Sequence, residues 1–511
     1  MVMGRRKKQQ SHLFLPTARG GGHRFYEALD KLLVEADFDA KVEALCERHY
    51  AAANQPGRPS VAPGIYFRMM LVGFFEGISS ERGIAWRCAD SMSLRDFLGL
   101  AAHVPVPDAS TVSRTRRRLP VDVFDEVFRL VLGIVDAKGL LQGRVRGVDS
   151  TYLKADASMR SIVRKDTGED YRSYIKRVAA DAEAEASTNG GDRDNSGSSV
   201  LLSPAAEGVD VAEGADVAEG ADVAEGEDVA EGADVADANT PVPPATAVDE
   251  HTEHGEVTQS EQSPPISPDS PSSARRVTTE EAVRHDRRRK KTTSNADWRS
   301  PTDPDARIVR MKDGTTRLGY KPEHVVDMES GAILSVLVHA GDAHDASTIR
   351  STLAVAEQNI ASIRQSTETS AVVGEHWHRE PLAEVVADKG YHKVSTLLEL
   401  KADGYRTYIP EKKQRGRRKF GDKGGGAAAA AFHQNRARTR RAKGKALQRR
   451  RGELVERPNQ HLYDRTGLRR LTLTKQKEIQ KRICLEAASF NLGRVIRKII
   501  GAGAPKWLRS E

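Results

Sequence analysis

The 511-residue sequence predicts an α/β catalytic domain, preceded by an all-helical N-terminal domain and interrupted by a long disordered acidic insert. Three observations carry this. Apolar residues recur at helical spacing from about residue 24 to 140. From Arg144, short β-branched runs alternate with helix-like stretches. Between about 180 and 295 both patterns vanish into low-complexity sequence. With 38% hydrophobic residues, a chain of this length has material for two or three domains with true cores.

Residues 1–22 read as a basic flexible start, and no apolar run long enough for a signal peptide follows Arg5-Arg6-Lys7-Lys8. Residues 23–140 read as the helical domain. Phe25, Leu29, Leu32, Leu33 and Val34 mark one helix and Val42, Leu45 and Cys46 the next. The stretch Pro56-Gly-Arg-Pro-Ser-Val-Ala-Pro breaks the pattern, Ile65–Phe75 resumes as a buried helix, and Ser79 or Ser80 caps another. Pro107-Asp-Ala-Ser then opens a helix carrying Arg114, Arg116, Arg117 and Arg118. Free amides and guanidinium forks at a helix start suit DNA phosphates and base edges; the plainer alternative is a solvated basic face.

Residues 141–179 and 297–500 read as the α/β domain, with 501–511 as a tail. Val145–Asp149, Tyr152–Asp156, Ile333–His339, Glu384–Ala387 and Tyr405–Pro410 read as strands, and Val394–Gly404 as a helix with a glycine stop. Lys475–Ile500 reads as a basic amphipathic helix. The block 180–296 contains an Asp-Val-Ala-Glu-Gly-Ala repeat of period six, starting at Asp210, Asp216, Asp222, Asp228 and Asp234. That period suits neither a heptad coil nor a packed solenoid, and its apolar content cannot offset the entropy of ordering. A second low-complexity break, Gly424-Gly-Gly-Ala-Ala-Ala-Ala-Ala, interrupts the basic segment 412–451.

The net charge of +8 hides an asymmetry: residues 412–451 hold sixteen Lys or Arg against one acid, while 204–263 hold many acids and no Lys or Arg. The first is a candidate polyanion surface, with Arg436, Arg438, Arg440 and Arg441 as candidate DNA contacts. Cys46, Cys88 and Cys484 have no paired spacing, which argues against a disulfide framework or a thiolate zinc site. No apolar run reaches membrane-span length, so a cytoplasmic protein without a membrane partner is expected.

Three acids stand out by context. Asp149 in Val148-Asp-Ser-Thr and Asp388 in Val386-Ala-Asp-Lys-Gly-Tyr each follow a β-branched run, and Glu456 in Leu454-Val-Glu-Arg-Pro lies in a basic helical stretch. Carboxylates at strand ends, joined by one from a helix, can hold a pair of hard cations against a phosphodiester. Lys389, Tyr391 and His392 adjoin Asp388 and could touch the phosphate, Lys389 most directly. His339, His344 and Asp345 are weaker ligand candidates.

Several motifs occur in one order: Pro56-Gly-Arg-Pro-Ser, Phe97-Leu-Gly-Leu, Pro107-Asp-Ala-Ser-Thr-Val-Ser, Val148-Asp-Ser-Thr, Thr302-Asp-Pro-Asp-Ala-Arg, Leu318-Gly-Tyr-Lys, Ala387-Asp-Lys-Gly-Tyr and Leu454-Val-Glu-Arg-Pro. In this order, over about 20–178 and 297–500, the chain resembles bacterial insertion-sequence DDE transposases of the IS-four/IS-five-like group. The resemblance implies an RNase H-like catalytic domain and an Asp149, Asp388, Glu456 triad holding two Mg²⁺, with Mn²⁺ able to substitute. It also implies double-stranded DNA partners, namely terminal inverted repeats and target DNA, and a homo-oligomer on that DNA. Asp149 and Asp388 are 239 positions apart; leaving out the 117 residues of 180–296 reduces this to 122, a spacing one sheet can accommodate.

Two departures bear on the third acid. Asn459 follows Pro458 where the family often has Phe, and Gly452 and Tyr463 stand where its frame places Arg and Lys around Glu456. Glu453 is therefore the alternative third acid, and Asp327 the alternative second. A catalytically inactive, transposase-derived DNA-binding protein is the other reading of the whole, and a plain nuclease a third.

Overall fold

A computed structural model describes residues 3–5, 22–50, 60–101, 103–141, 144–188, 294–311, 313–369, 383–412, 420 and 425–508. The period-six repeat and most of the expected insert lie outside these residues. At its start, however, the helix Tyr171–Thr188 runs across the boundary expected at residue 180.

The N-terminal half is helical: α1 (Arg24–Glu35), α2 (Phe38–Cys46), α3 (Pro63–Glu76), α4 (Glu81–Asp90), α5 (Met92–Leu98), α6 (Ala109–Arg118) and α7 (Val121–Ala137). Phe25, Leu29, Leu32 and Leu33 bury one face of α1, leaving Val34 exposed on the other. Pro63 sits at the first turn of α3, where its missing N–H costs nothing, and Gly77 ends the helix at φ 73°. Ser80 and Asp108 cap α4 and α6 by accepting from Gly83 N (3.0 Å) and Thr111 N (2.6 Å). Fully buried Arg68 on α3 ties this half together, donating to Asp30 (2.7 Å), Asp39 (2.8 Å) and the Phe97 carbonyl (2.9 Å).

The second half contains β1 (Val145–Ser150), β2 (Leu153–Lys154), β3 (Val163–Arg164), α8 (Tyr171–Thr188), β4 (Trp298–Arg299), β5 (Arg307–Arg310), β6 (Thr316–Asp327) and β7 (Ile333–Ala340). There follow α9 (Asp345–Thr369), β8 (Glu384–Val386), α10 (Val394–Ala402), β9 (Arg406–Tyr408), α11 (Gly425–Arg440), α12 (Ala442–Leu454), α13 (Arg457–Asn459) and α14 (Gln476–Ile500). The main sheet runs β7-β6-β1-β8-β9. β7, β6 and β1 are antiparallel neighbours, while β8 and β9 run parallel to β1 and to each other. Asp149 stands opposite His324, and Val145 opposite Glu384. The hairpin between β6 and β7 closes on Asp327, whose carboxylate accepts from Glu329 N (2.8 Å) and Ser330 Oγ (3.0 Å). That turn role leaves Asp327 buried in the hairpin, not at the end of β1.

Four expectations need correction. The alanine run is no break: Gly425–Arg440 is one helix, as the high helix propensity of alanine favours. The last helix is not simply amphipathic. From Ile479 to Gly493 α14 is buried on all sides, with Lys481, Arg482 and Glu486 inside. Its polar groups are used: Arg482 pairs with Glu486 (2.6 Å), and Lys481 donates to the Arg116 carbonyl (3.1 Å). Residues 501–508 are packed, with Ala502, Ala504 and Pro505 buried. Arg116 is buried too, paired with Glu81 (2.8 Å) and Glu478, so it braces α6 against α4 and α14 instead of facing DNA.

Removing one partner of a buried ion pair strands the others. Arg68→Ala should therefore cost about 3–5 kcal/mol of stability. Urea denaturation of the full chain checks this, and a loss below about 1 kcal/mol would place Arg68 among ordinary surface pairs.

Candidate active site

The sheet delivers Asp149 at the end of β1 and Asp388 two residues past the end of β8, on adjacent parallel strands. The third acid arrives from outside the sheet. The chain bends between α12 and α13, and Val455 at the bend sits on β1 because Gly147 has no side chain. A Cβ there would lie 2.2 Å from Val455 Cγ2. His324 Nε2 fixes the same bend by donating to the Val455 carbonyl (3.0 Å). The next residue, Glu456, thereby stands at the mouth of the site with its side chain 56% exposed.

Arg451 links the acids. Its guanidinium lies 3.8 Å from Asp149 Oδ1 and 3.2 Å from Glu456 Oε1, and its charge also acts on Asp388. Asn459 donates to Asp149 Oδ2 (2.8 Å), while its own Oδ1 is buried with no partner among the described residues. Glu453, the alternative third acid, lies exposed on α12 and has no such link to Asp149 among the contacts present.

A fourth carboxylate completes the geometry. Asp345, the first residue of α9, accepts from Ser150 Oγ (2.8 Å) and pairs with buried Lys321. Gly390 lets it approach Asp388: a Cβ at 390 would lie 2.5 Å from Asp345 Oδ2 and 2.9 Å from Asp388 Oδ1. Burial, and then Asp345, raise the proton affinity of Asp388, against the opposing pull of Arg451 and of the Gly390 and Tyr391 amides. Sequence reasoning ranked Asp345 low because nothing local distinguishes it; only the fold brings it within reach of Asp388. Its companions go elsewhere. His339 bonds Thr352 Oγ1 (3.1 Å), and His344 is exposed at the helix start.

The candidate donors, the carboxylates of Asp149, Asp388, Glu456 and Asp345 and the orphaned amide oxygen of Asn459, are all oxygen atoms, which suits a hard cation. They are not a closed cage. Among the described residues no three His, Cys, Asp or Glu side chains converge tightly enough to enclose an ion, since Arg451 stands between Asp149 and Glu456.

The basic candidates divide. Lys389, Arg440 and Arg441 are exposed. Arg436 pairs with Glu411 (2.8 Å), and Arg438 donates to the Thr407 carbonyl (3.0 Å). Lys412, Arg436, Arg440 and Lys445 line a cleft of about 650 Å³, closed on one side by Gln448, which also donates to the Ala387 carbonyl (3.2 Å) next to Asp388. On α6, Arg114 and Arg117 are exposed, and Arg118 covers the Tyr50 ring at 4.9 Å. Of the two other neighbours of Asp388, Tyr391 is buried and donates to Glu323 (2.9 Å), and His392 packs edge-on against Phe432.

The raised proton affinity of Asp388 has a consequence for stability. The folded chain binds that proton more tightly than the unfolded one, so stability falls as pH rises from the ordinary carboxylate value of about 3.9 through the raised folded value. Without divalent metal, Asp388→Asn should be more stable than the parent at pH 7, and the gap should close below about pH 4. Urea denaturation in EDTA at both pH values checks this; a variant less stable at pH 7 would contradict it.

Two family models match the chain. A transposase domain (DUF772) covers residues 18–118, and a transposase DDE domain covers residues 286–492. Comparison with curated proteins and with solved structures gives no match. The first model falls on the N-terminal helices, and the second takes in β4 to most of α14, with Asp388 and Glu456 inside it. With both transposase modules in order along one polypeptide, the chain belongs to the DDE insertion-sequence transposases.

Proposed function

We propose that this chain cuts the ends of an insertion element and joins them to target DNA, using Asp149, Asp388 and Glu456 as its catalytic acids on an RNase H-like domain. The observation that carries this reading is that one cation, Arg451, pairs with Asp149 and Glu456 and also acts on Asp388, tying together acids from two adjacent parallel strands and a helix bend. The motif order favours the IS-four/IS-five-like group.

When bound, two divalent cations, Mg²⁺ or Mn²⁺, would activate the attacking oxygen and stabilise the leaving oxygen. Asp149, Asp388 and Glu456 would hold them. The protein's own residues do the positioning. The strand pairing fixes Asp149 and Asp388, Asn459 holds Asp149 Oδ2, and Asp345 with Lys321 backs Asp388. Arg451 balances the acids and would give way as cations load. The reaction is hydrolysis at the element end, followed by in-line attack of the freed 3′-hydroxyl on target DNA.

Duplex DNA would reach the site over the basic cleft of Lys412, Arg440 and Lys445 and past Lys389, with Arg441 beside it and the exposed Arg114 and Arg117 of residues 23–140 gripping it elsewhere. Cutting two element ends together requires two active sites, so the working form would be a homo-oligomer on DNA. Among the described residues no helix is long and apolar enough to cross a membrane, and action on cellular DNA would place the protein in the cytoplasm.

Asp149→Asn should abolish strand cleavage of a labelled element end in Mg²⁺ while leaving binding of that end within about threefold, since a phosphate grip spread over many cations loses little from one distant carboxylate. Full cleavage by the variant would overturn the assignment. Absence of cleavage by the parent chain as well would favour the catalytically inactive, DNA-binding reading.

A further inference from the structure

Beyond Glu456, a group of cations has no part in the chemistry above. Arg457 opens α13, Arg465 ends the irregular turn that follows it, and Arg494 and Arg497 lie near the C-terminal end of α14. Arg457 and Arg497 are exposed; Arg465 and Arg494 are half-buried. Among the described residues none of the four pairs with a carboxylate, although Arg116, Arg451, Arg469 and Arg482 in the same region all do.

The four share one neighbourhood. Arg465 and Arg497 both lie over the Trp507 ring, at 4.6 and 4.9 Å from its centroid. Arg465 also donates to His461 Nδ1 (2.8 Å). Burial, followed by Arg465, Arg497, Arg457 and Arg494 in turn, pushes the His461 proton affinity down to about 4, so the imidazole is neutral and accepts that bond at pH 7. Arg497 packs so close to Gly503 that a Cβ there would lie 3.2 Å from its Nε.

Like charges held together cost free energy unless something offsets them. The α14 C-terminus offsets part at Arg497, and Asp327 and a hydrogen bond to the Ser330 carbonyl offset part at Arg494. Arg465 and Arg497 stay without a carboxylate partner among the described residues on a shared indole platform, with Arg457 exposed nearby and Arg494 behind them. Guanidinium forks fixed in this way match phosphate oxygens.

We propose that Arg457, Arg465, Arg494 and Arg497 form a phosphate-binding cluster that grips the DNA backbone beside the cutting site. This rests on the DNA-cutting reading above. Arg457, adjacent in sequence to Glu456, links the grip to the third acid, so a strand held there is registered against the chemistry.

The test is the salt dependence of binding between the full chain and a fluorescent DNA duplex of random sequence, read by anisotropy across a KCl series. Each phosphate contact contributes about 0.9 to the slope of log K against log salt. The double variant Arg457→Gln/Arg497→Gln, which changes the two exposed members, should lower that slope by about 2. If the double variant does not fold, Arg457→Gln alone should lower it by about 1. A folded variant that keeps the parent slope overturns the cluster and leaves the DNA-cutting reading standing. A parent chain with no salt-dependent DNA binding overturns both.

Discussion

The seating of α14 against the edge strand β7 is the constraint on which the rest of the structure depends. β7 offers unpaired backbone groups on its outer side, and amide side chains of α14 satisfy them. Gln480 accepts from Val338 N (2.7 Å) and donates to the Val336 carbonyl (2.9 Å); Asn491 does the same at Ile333, at 2.8 and 2.9 Å. An exposed strand edge is thereby closed and the helix is locked in register with the sheet. On its other sides α14 presents Lys481, Arg482 and Glu486 to the N-terminal helices. One helix therefore fixes the sheet and attaches the N-terminal helices to it, and the sheet in turn fixes β1 and β8 at the candidate site.

From that frame the site follows in steps. β1 is paired with β8 over Val145–Gly147 and with β6 through Ser150, so Asp149 is held by the β6 ladder opposite His324. The short β8 inherits its position from β1 and carries Asp388 forward. Glu456 depends on no strand; it depends on the contact of Val455 with Gly147 and on the His324 bond. This explains why it is the most exposed of the three acids and why a single arginine, Arg451, mediates its link to Asp149. Two acids are thus held at strand ends and the third by a single packing contact and one hydrogen bond.

Much of this was legible in the sequence, and the physical reasons for the failures are specific. Helix caps and the strand ends carrying Asp149 and Asp388 are local features, written in residues close together in the chain. Alanine after three glycines looked like a break because composition was read ahead of helix propensity. Arg116 looked like a DNA contact because a basic helix gives no sign of which arginine meets Glu81 and Glu478 from distant segments. Asp345 and the arginines around Trp507 were equally hidden, since what distinguishes them is a neighbour supplied by the fold.

The proposal that Asp149, Asp388 and Glu456 share one cation site, with Arg451 giving way to metal, turns on where metal binds. Anomalous scattering from Mn²⁺ in crystals of the full chain on an element-end duplex tests this most directly. Manganese peaks coordinated by Asp149 and Asp388 are expected, with Glu456 a ligand to at least one ion and Arg451 turned away. Peaks confined to other carboxylates, or Arg451 still bridging Asp149 and Glu456 in saturating metal, would contradict it.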